Sequence, residues 1–276
     1  MTLPARSDLA DLSGTILLVG AGKMGSAMLE GWLGLGLDAS RVAVIEPQPS
    51  SEITALTARG LRLAPAPGAV VSALVIAVKP QTAPELMPSL APFVTASTVV
   101  VSIMAGRPLQ FLEHALPGAA LVRAMPNTPA AIGRGITVAV ANARVTDAQR
   151  ALVHTLLSAV GKVEWIGDEG LIDAVTALSG SGPAYVFLLA EAMARAGVAA
   201  GLPSGLSGRL ARATVAGAGE LLHRSPLDAA ALRQNVTSPG GTTAAALEVL
   251  MADDGLAPLV TRAIAAATRR AGELAG

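Results

Sequence analysis

The sequence predicts an α/β chain: a doubly wound, sheet-containing domain at residues 1–166, followed by an all-helical domain at residues 167–276. Short apolar runs alternate with helix-like stretches in the first half, as expected where strands and helices alternate along the chain. The runs are continuously apolar, which is typical of parallel strands buried on both faces. After about residue 168 the strand pattern stops and an alanine-rich helical pattern follows.

The elements follow from the spacing of the apolar residues. Met24, Met28, Trp32 and Leu35 recur at helical spacing and predict a helix over 24–35, and Thr146 with Gln149 forms a capping box that begins another. The predicted strands are Thr15–Val19, Val42–Ile45, Leu74–Val78, Thr98–Ile103, Ala120–Ala124, 135–140 and 162–166. The predicted helices of the second half are 170–178, 183–200, 204–223, 226–234, 243–252 and 257–274.

Composition excludes several classes of chemistry. The 276 residues include no cysteine, so disulfides, thiolate nucleophiles, zinc–cysteine clusters and iron–sulfur centres are excluded. Three scattered histidines leave little for a metal site, and we expect none. The 20 basic and 20 acidic residues balance, which predicts no binding of nucleic acid or of an anionic membrane.

A mean hydropathy of +0.56 raises the question of a membrane. The helical stretch 183–201 contains Glu191 and Arg195, and the other apolar runs have the length of strands, so we expect no spanning helix. The first 13 residues show no apolar core of a secretory signal, so a cytoplasmic location is expected. The apolar surplus then predicts a large core or an interface between subunits.

A glycine motif predicts a nucleotide site. Gly20, Gly22 and Gly25 stand in a GxGxxG pattern between the first strand and the first helix, and the segment comprises Gly20, Ala21, Gly22, Lys23, Met24 and Gly25. The first glycine permits the tight turn, the second lets the backbone approach a pyrophosphate, and the third lets helix and strand pack closely. The helix N-terminus supplies free N–H groups to the phosphates. The motif therefore predicts a Rossmann-type, dinucleotide-binding domain.

Two further strand ends offer residues to the same nucleotide. Glu46 follows the second strand, where an acidic residue binds the ribose hydroxyls and favours NAD; alternatively it is a solvated carboxylate. Arg59 or Arg62 remains able to reach a 2′-phosphate, so the cofactor is NADPH or NADH. Val78, Lys79 and Pro80 end another strand at the edge where such folds bind ligands, although Lys79 has an alternative as a surface lysine.

Two segments of the helical half interrupt its pattern. Leu178–Tyr185 contains two glycines and a proline that predict a break or kink; alternatively it is a plain connector. Asn235–Thr243 is a glycine-rich turn that leads into a helix, and its free amides suit a carboxylate. A simple N-cap supplied by Thr242 or Thr243 is the alternative there.

These segments resemble those of the pyrroline-5-carboxylate reductases. The matching stretches run in the family's order over nearly the whole chain: Gly20–Gly25, Ala77–Pro80, Met125–Pro129, Leu171–Thr176, Leu178–Tyr185 and Asn235–Thr243. The resemblance implies reduction of a cyclic imine carboxylate by NAD(P)H and a helical domain that intertwines with a second subunit. It also implies a homodimer that in some relatives assembles into a decamer.

The resemblance also assigns roles to residues. It implies that Ala21, Lys23, Met24, Val78, Lys79, Ala105 and Asn235 line the cofactor, and that Glu169, Thr242 and Thr243 contact the substrate. The turn residues Ser238, Gly240 and Gly241 complete the predicted substrate site. The segment 64–70 is short and lacks an asparagine that relatives often use at the adenosine end, which leaves the choice between NADH and NADPH open.

We expect Thr243 to hydrogen-bond the ring nitrogen while the amides of 240–243 bind the substrate carboxylate. Three other functions compete with this hypothesis. A β-hydroxyacid dehydrogenase shares the layout but uses a lysine of the helical domain, and this chain has no lysine after Lys162. A non-catalytic NAD-sensing module leaves the Ser/Gly/Thr turns without a role. A purely structural helical dimer leaves the glycine motif unexplained.

Overall fold

The computed structural model describes residues 9, 12, 14–66 and 68–275, and these contain the expected sheet with helices on both faces. The seven strands lie in the order β2-β1-β3-β4-β5-β6-β7. They are β1 Thr15–Val19, β2 Val42–Ile45, β3 Val71–Ile76, β4 Val99–Ser102, β5 Ala120–Met125, β6 Gly135–Ala141 and β7 Gly161–Trp165. The first 13 residues, where the sequence predicts no secretory signal, lie almost wholly outside the described residues, and so does Pro67 of the 64–70 segment.

The sheet departs from the expected all-parallel arrangement at one strand pair. Strands β1 to β5 pair in parallel, but β6 runs antiparallel to β5, with Met125 opposite Val138. The connection over 126–134 holds only a short 3₁₀ turn, Thr128–Ile132. A parallel crossover needs about a dozen residues or more, so this short connection can only reverse the chain.

Eleven α-helices occur in the described part of the chain. The predicted capping box is confirmed: Thr146 Oγ1 accepts from the Gln149 N–H, and the Gln149 side chain accepts from the Thr146 N–H. The helices are α1 Lys23–Gly34, α2 Ser51–Ala55, α3 Ala83–Leu90, α4 Leu109–Ala115, α5 Asp147–Ser158, α6 Ile172–Val175, α7 Gly182–Ala199, α8 Ser204–Arg224, α9 Ala229–Asn235, α10 Thr242–Leu250 and α11 Leu256–Ala275.

Two apolar layers bury the sheet, one on each face. In β1, Ile16 and Leu18 belong to the layer that contains Met28 and Trp32 of α1, whereas the alternate residues Leu17 and Val19 belong to the other layer. That second layer contains residues of α3 and α4, such as Met87, Leu90 and Leu112. Burial on both faces explains why the strands are continuously apolar in the sequence.

The predicted break within 178–185 is present as a change of helix type. Helix α6 passes directly into a π-helical turn at Thr176–Gly180, and α7 then begins at Gly182. Asn127 holds the turn: its Nδ2 donates to the Ser179 carbonyl at 3.1 Å, and its Oδ1 accepts from the Ile136 N–H at 2.9 Å. π-turns are rare and concentrate at functional sites.

The chain divides into two compact units. One comprises the described residues up to Gly180 together with those from Thr268, and the other comprises Ser181–Ala267. The division at residue 166 remains a prediction. Within the second unit, α7 and α8 cross closely because Gly197 leaves room for Ser207, whose Oγ donates to the Ala194 carbonyl at 2.7 Å. Ser207 and Ala211 are the two residues of α8 that are fully buried.

Most apolar side chains of the second unit are exposed in the single chain. Phe187 of α7 is 69% exposed and Leu210 of α8 is 47% exposed. One stretch of the described chain, Glu169–Ala199, is long and apolar enough to cross a membrane by length and composition, which the sequence did not lead us to expect. A single helix of this kind is weak evidence for a membrane, and exposed apolar helices equally suit an interface between subunits.

A histidine near the edge of the sheet makes the stability of the sheet-containing unit depend on pH. His154 of α5 accepts a 3.3 Å hydrogen bond from Trp165 Nε1, and the Arg150 guanidinium lies 4.3 Å from the Trp165 ring centroid. Burial lowers the pKa of His154 below its ordinary 6.5; Arg150 lowers it further, while Glu164 opposes the shift. Below pH 6.5 the unfolded chain therefore binds more protons than the folded one.

The free energy of unfolding should accordingly fall as the pH is lowered from about 6.5, because the buried imidazole must then be protonated. We expect His154→Gln to show a smaller loss of melting temperature between pH 7.5 and pH 5.5 than the unaltered chain. The control is His114→Gln, since His114 is exposed and should leave the pH dependence unchanged. Parallel pH profiles for all three proteins in thermal melts would contradict the assignment.

Candidate functional site

A cleft opens where three parallel strands end. The ends of β2, β1 and β3 are held in line, since the Gly20 N–H donates to the Ile45 carbonyl at 2.9 Å and the Ala77 N–H to the Val19 carbonyl at 2.7 Å. The cleft has a volume of about 530 Å³. It is lined by Val19, Gly20, Gly22, Ile45, Glu46, Pro47, Ala77, Val78, Lys79, Thr82, Glu85 and Leu86.

The glycine turn has the geometry that its sequence predicts. Gly20 has φ +89°, and a Cβ there would lie 2.8 Å from the Ala77 carbonyl oxygen, so only glycine fits. A Cβ on Gly25 would overlap the Gly20 carbonyl oxygen, which explains the third glycine. A Cβ on Gly22 would meet nothing within 4 Å. The packing of the protein therefore does not require glycine at position 22.

The N-terminus of α1 is open toward a ligand. Its N-cap is Gly22, the helix has no acidic residue in its first turn, and no side-chain hydrogen bond caps it among the described residues. The first N–H groups of a twelve-residue helix are thus available together with the positive end of its dipole. Lys23 is exposed and Met24 half-buried at this end. Such a terminus beside an open glycine fits a pyrophosphate.

Glu46 lies in the cleft and is fixed there by the backbone. Its Oε2 accepts from the Ala21 N–H at 2.9 Å, and its Oε1 accepts from the Gln48 N–H at 3.2 Å. The carboxylate is half-buried. The Glu46 carboxylate thus bonds to the backbone of Ala21, the residue directly after Gly20. It is therefore not the freely solvated carboxylate that was the alternative interpretation of the sequence.

The opposite wall consists of the loop after β3 and the first part of α3, and the loop after β4 lies next to the loop after β3. Lys79 is exposed there, while Val78 and Pro80 are half-buried. Arg107 joins the two loops, because its Nε donates to the Pro80 carbonyl at 3.0 Å. Ala105 is exposed in the loop after β4, two residues before this arginine. This contact of Arg107 was not predicted from the sequence, because the pattern of the loop carries no distinct signal for it.

The arginines expected near a 2′-phosphate do not line this cleft. Arg59 lines a separate groove with residues of α1 and α2. Two hydrogen bonds from Ser40 are the main cause of the lowered pKa of Asp38, and the charges of Arg41 and Arg59 lower it further. Arg62 pairs by its backbone with β2: its N–H donates to the Val42 carbonyl at 3.1 Å and its carbonyl accepts from the Val44 N–H at 2.8 Å.

The glycine-rich turn of the helical unit carries uncommitted donors. The chain turns at Gly240, with φ +68°, and Gly241 is the N-cap of α10 without a side-chain hydrogen bond among the described residues. Neither Thr242 nor Thr243 therefore supplies the expected simple cap. Thr243 is half-buried, while Asn235, Ser238 and Thr242 are exposed. The helix amides and both hydroxyls remain available for an anionic ligand.

Glu169 has a structural role within the sheet unit. Its Oε1 accepts from the Leu109 N–H at 2.8 Å, at the start of α4, and from Arg123 Nη1 at 2.7 Å. Arg123 comes from the middle of β5, is 4% exposed and leaves its buried Nε without a partner. The buried ion pair of Arg123 was not predicted from the sequence, although a charged residue within an apolar strand is a visible signal of such a partner. The predicted substrate contact of Glu169 remains a prediction.

Comparison with known protein families places both parts of the chain. Residues 169–274 match the model described as pyrroline-5-carboxylate reductase dimerisation. Residues 15–106 match the model described as NADP oxidoreductase, coenzyme F420-dependent. The sheet unit and the helical unit are thus matched by a nucleotide-dependent oxidoreductase domain and by a dimerisation domain. The latter supports an oligomer.

Individual relatives match over nearly the full length. The pyrroline-5-carboxylate reductase of Pseudomonas aeruginosa is 39% identical over 264 residues, which cover 94% of this chain and 96% of the relative. The solved structure of the Coxiella burnetii enzyme superposes with a TM-score of 0.88 at 33% identity, over 96% of this chain and all of the other.

A second solved structure, the NADP-bound pyrroline carboxylate reductase of Plasmodium falciparum, gives a TM-score of 0.79 at 27% identity, over 96% of this chain and 99% of the other. Each of these matches covers 94% or more of this chain. They confirm the resemblance drawn from the sequence motifs. The chain belongs to the pyrroline-5-carboxylate reductase family.

Proposed function

We propose that this protein reduces 1-pyrroline-5-carboxylate to L-proline with NADPH or NADH, the last step of proline biosynthesis. One observation carries the proposal. This chain, which belongs to the family, has two helix N-termini without a side-chain cap among the described residues, one at Gly22 and one at Gly241, and their first backbone N–H groups can bind a ligand. The first suits the pyrophosphate of a dinucleotide, and the second suits a carboxylate. A cyclic imine carboxylate and a nicotinamide cofactor require these two anion sites.

The cofactor site comprises the residues that the sequence assigned to it. The amides that follow Gly22 bind the pyrophosphate, and Glu46 faces the adenosine ribose. Val78, Lys79, Pro80 and Ala105 form the opposite wall, and Asn235 contributes from the helical unit. A bound nicotinamide supplies the hydride, so the protein needs only to set distance and face.

The substrate site is the turn that begins α10. Of the amides of 240–243, those of Gly240, Thr242 and Thr243 bind the substrate carboxylate, because that of Gly241 already donates to the Ser238 carbonyl at 3.1 Å. Ser238 lies at the edge of the turn. The Thr243 hydroxyl accepts a hydrogen bond from the protonated ring nitrogen and thereby orients the imine carbon. The imine takes its proton from water, so no strong acid or base of the protein is required. Glu169 remains a proposed substrate contact beside its bonds to Arg123 and Leu109.

The other candidate functions fit less well. A β-hydroxyacid dehydrogenase requires a lysine in the helical half, and the chain has none after Lys162. A non-catalytic NAD-binding module would leave the uncapped turn at Gly241 unexplained. A purely structural helical dimer would leave unexplained why Gly22 is free of packing contacts.

We also propose that the protein is a homodimer that can extend to a decamer of five dimers, in the cytoplasm, without nucleic-acid or membrane partners. The exposed apolar residues of α7 and α8 support an interface of large area. The same interface accounts for the apolar stretch Glu169–Ala199 without a membrane. The balanced charge of the chain agrees with the lack of polyanionic partners.

Gly22→Ala tests the cofactor site. Since the added methyl meets no protein atom within 4 Å, the melting temperature should stay unchanged. The methyl should nevertheless obstruct the pyrophosphate and weaken nucleotide binding by about tenfold or more, equivalent to about 1.4 kcal/mol. Calorimetric titration with NADH and NADPH measures this. The matched control is Gly34→Ala at the far end of α1, where the methyl also meets nothing; equal weakening in both variants would refute the site.

Thr243→Ala tests the substrate site. Loss of the hydroxyl should lower kcat/KM for pyrroline-5-carboxylate by about tenfold or more, or about 1.4 kcal/mol of transition-state stabilisation. Nucleotide affinity should stay the same. Steady-state kinetics provide the measurement, with Thr57→Ala, an exposed threonine of the sheet unit, as control. Unchanged kinetics in Thr243→Ala would remove Thr243 from the mechanism.

Phe187→Glu tests the interface. A charge at this 69% exposed residue should be costly to bury between subunits, so the particle mass in sedimentation or light scattering should fall toward that of the monomer. Leu63→Glu is the control, since Leu63 is an exposed apolar residue of the sheet unit. If the mass falls equally in both variants, or in neither, the interface does not include Phe187.

A further inference from the structure

We propose that this protein selects NADH over NADPH, and that Glu46 is the residue that makes the selection. The inference rests on the proposed binding of a nicotinamide dinucleotide in the cleft at the ends of β1, β2 and β3. It goes further by choosing between two cofactors that differ only by a phosphate on the adenosine ribose. The glycine turn and the α1 N-terminus serve both cofactors equally, so they cannot decide between them.

The position of Glu46 makes it the discriminating group. It follows β2 directly, and its Oε2 accepts from the Ala21 N–H at 2.9 Å, beside the turn that would hold the pyrophosphate. In dinucleotide-binding folds an acidic residue at the end of this strand binds the ribose hydroxyls. A carboxylate accepts hydrogen bonds from such hydroxyls but has no proton to give a phosphate.

Glu46 is also unable to move aside without cost. Its two carboxylate oxygens are held by two backbone amides, those of Ala21 and Gln48. Rotation of the side chain away from the cleft would leave both amides without this acceptor. The Ala21 N–H is half-buried, so the loss of its acceptor is costly, whereas the Gln48 N–H is exposed and can bond to water instead. The negative charge is therefore part of the built site, not a mobile surface charge.

The cleft offers little positive charge to offset a phosphate. Of the side chains that line it in the described chain, Lys79 is the one cation, whereas Glu46 and Glu85 are both acidic. Arg59 lines a different groove, and Arg62 is not among the described residues that line the cleft. A ribose phosphate carries about −1.5 to −2 charges at neutral pH, as phosphate monoesters do. Like charges placed together in a binding site are strongly disfavoured.

The test compares the dissociation constants of NADH and NADPH for the purified full-length protein by calorimetric titration without substrate. The unaltered protein should bind NADH at least about tenfold more tightly than NADPH. A smaller ratio, or tighter binding of NADPH, overturns the inference. This first measurement needs no variant, so it decides the preference even if a substitution at Glu46 impairs folding.

Two variants then test the role of Glu46. Glu46→Gln keeps the size and one oxygen acceptor but removes the charge, and Glu46→Ser also removes the bulk. In both, the ratio of the NADPH to the NADH dissociation constant should fall at least about tenfold, mainly through tighter binding of NADPH. Glu30→Gln, an exposed carboxylate of α1 outside the cleft, should leave the ratio unchanged. A ratio that is unchanged at Glu46, or that falls equally at Glu30, overturns the assignment.

The same samples separate this inference from the proposed function. If NADH binds preferentially but pyrroline-5-carboxylate is not reduced, the proposed reaction is wrong and the preference stands. If the reaction proceeds while NADPH binds as tightly as NADH, the preference is wrong and the reaction stands. Failure of both nucleotides to bind overturns both.

Discussion

The alignment of parallel strand ends at one edge of the sheet is the constraint on which the rest of the structure depends. Two backbone hydrogen bonds, Gly20 N–H to Ile45 and Ala77 N–H to Val19, keep β2, β1 and β3 ending at the same level. Because the strands are parallel, each end passes into a loop on that edge. One shared edge thus collects the glycine turn, Glu46 and Lys79 from segments up to 59 residues apart.

Glycine converts this edge into a binding site by leaving space and donors unused. Two of the three glycines are required by the fold itself, since a Cβ on Gly20 or Gly25 would overlap backbone atoms. Gly22 is different, because nothing in the protein fills the space beside it. At the turn before α10, Gly241 resembles Gly20 and Gly25 instead, because a Cβ there would lie 2.5 Å from the Ser238 hydroxyl, while the helix N-terminus has no side-chain cap among the described residues. Space and donors that the fold does not use are what a ligand would use.

Much of the fold and part of the site were predictable from the sequence. Local sequence patterns predicted the exact bounds of β1 and β2 and the capping box at Thr146, because these features depend on neighbours within a few positions. The reversal at β6 and the π-turn at Thr176–Gly180 were not predicted as such, since they depend on connection length and on the distant Asn127. Nor could the spacing of residues reveal that Arg123 and the Leu109 N–H donate to the Glu169 carboxylate, because these partners are 46 and 60 residues away in the sequence.

The scarcity of charged side chains gives the few that remain in the cleft unusual weight. Only 14% of the residues are charged, and three of the 20 basic residues are lysines. The proposed reduction of an imine would draw on backbone amides and a hydroxyl, so the absence of cysteine and the scarcity of histidine and lysine are no handicap to it. Where few charges compete, one fixed carboxylate sets the local potential. In this cleft Glu46 is the carboxylate that two backbone amides hold, and the proposed discrimination between the two cofactors rests on it.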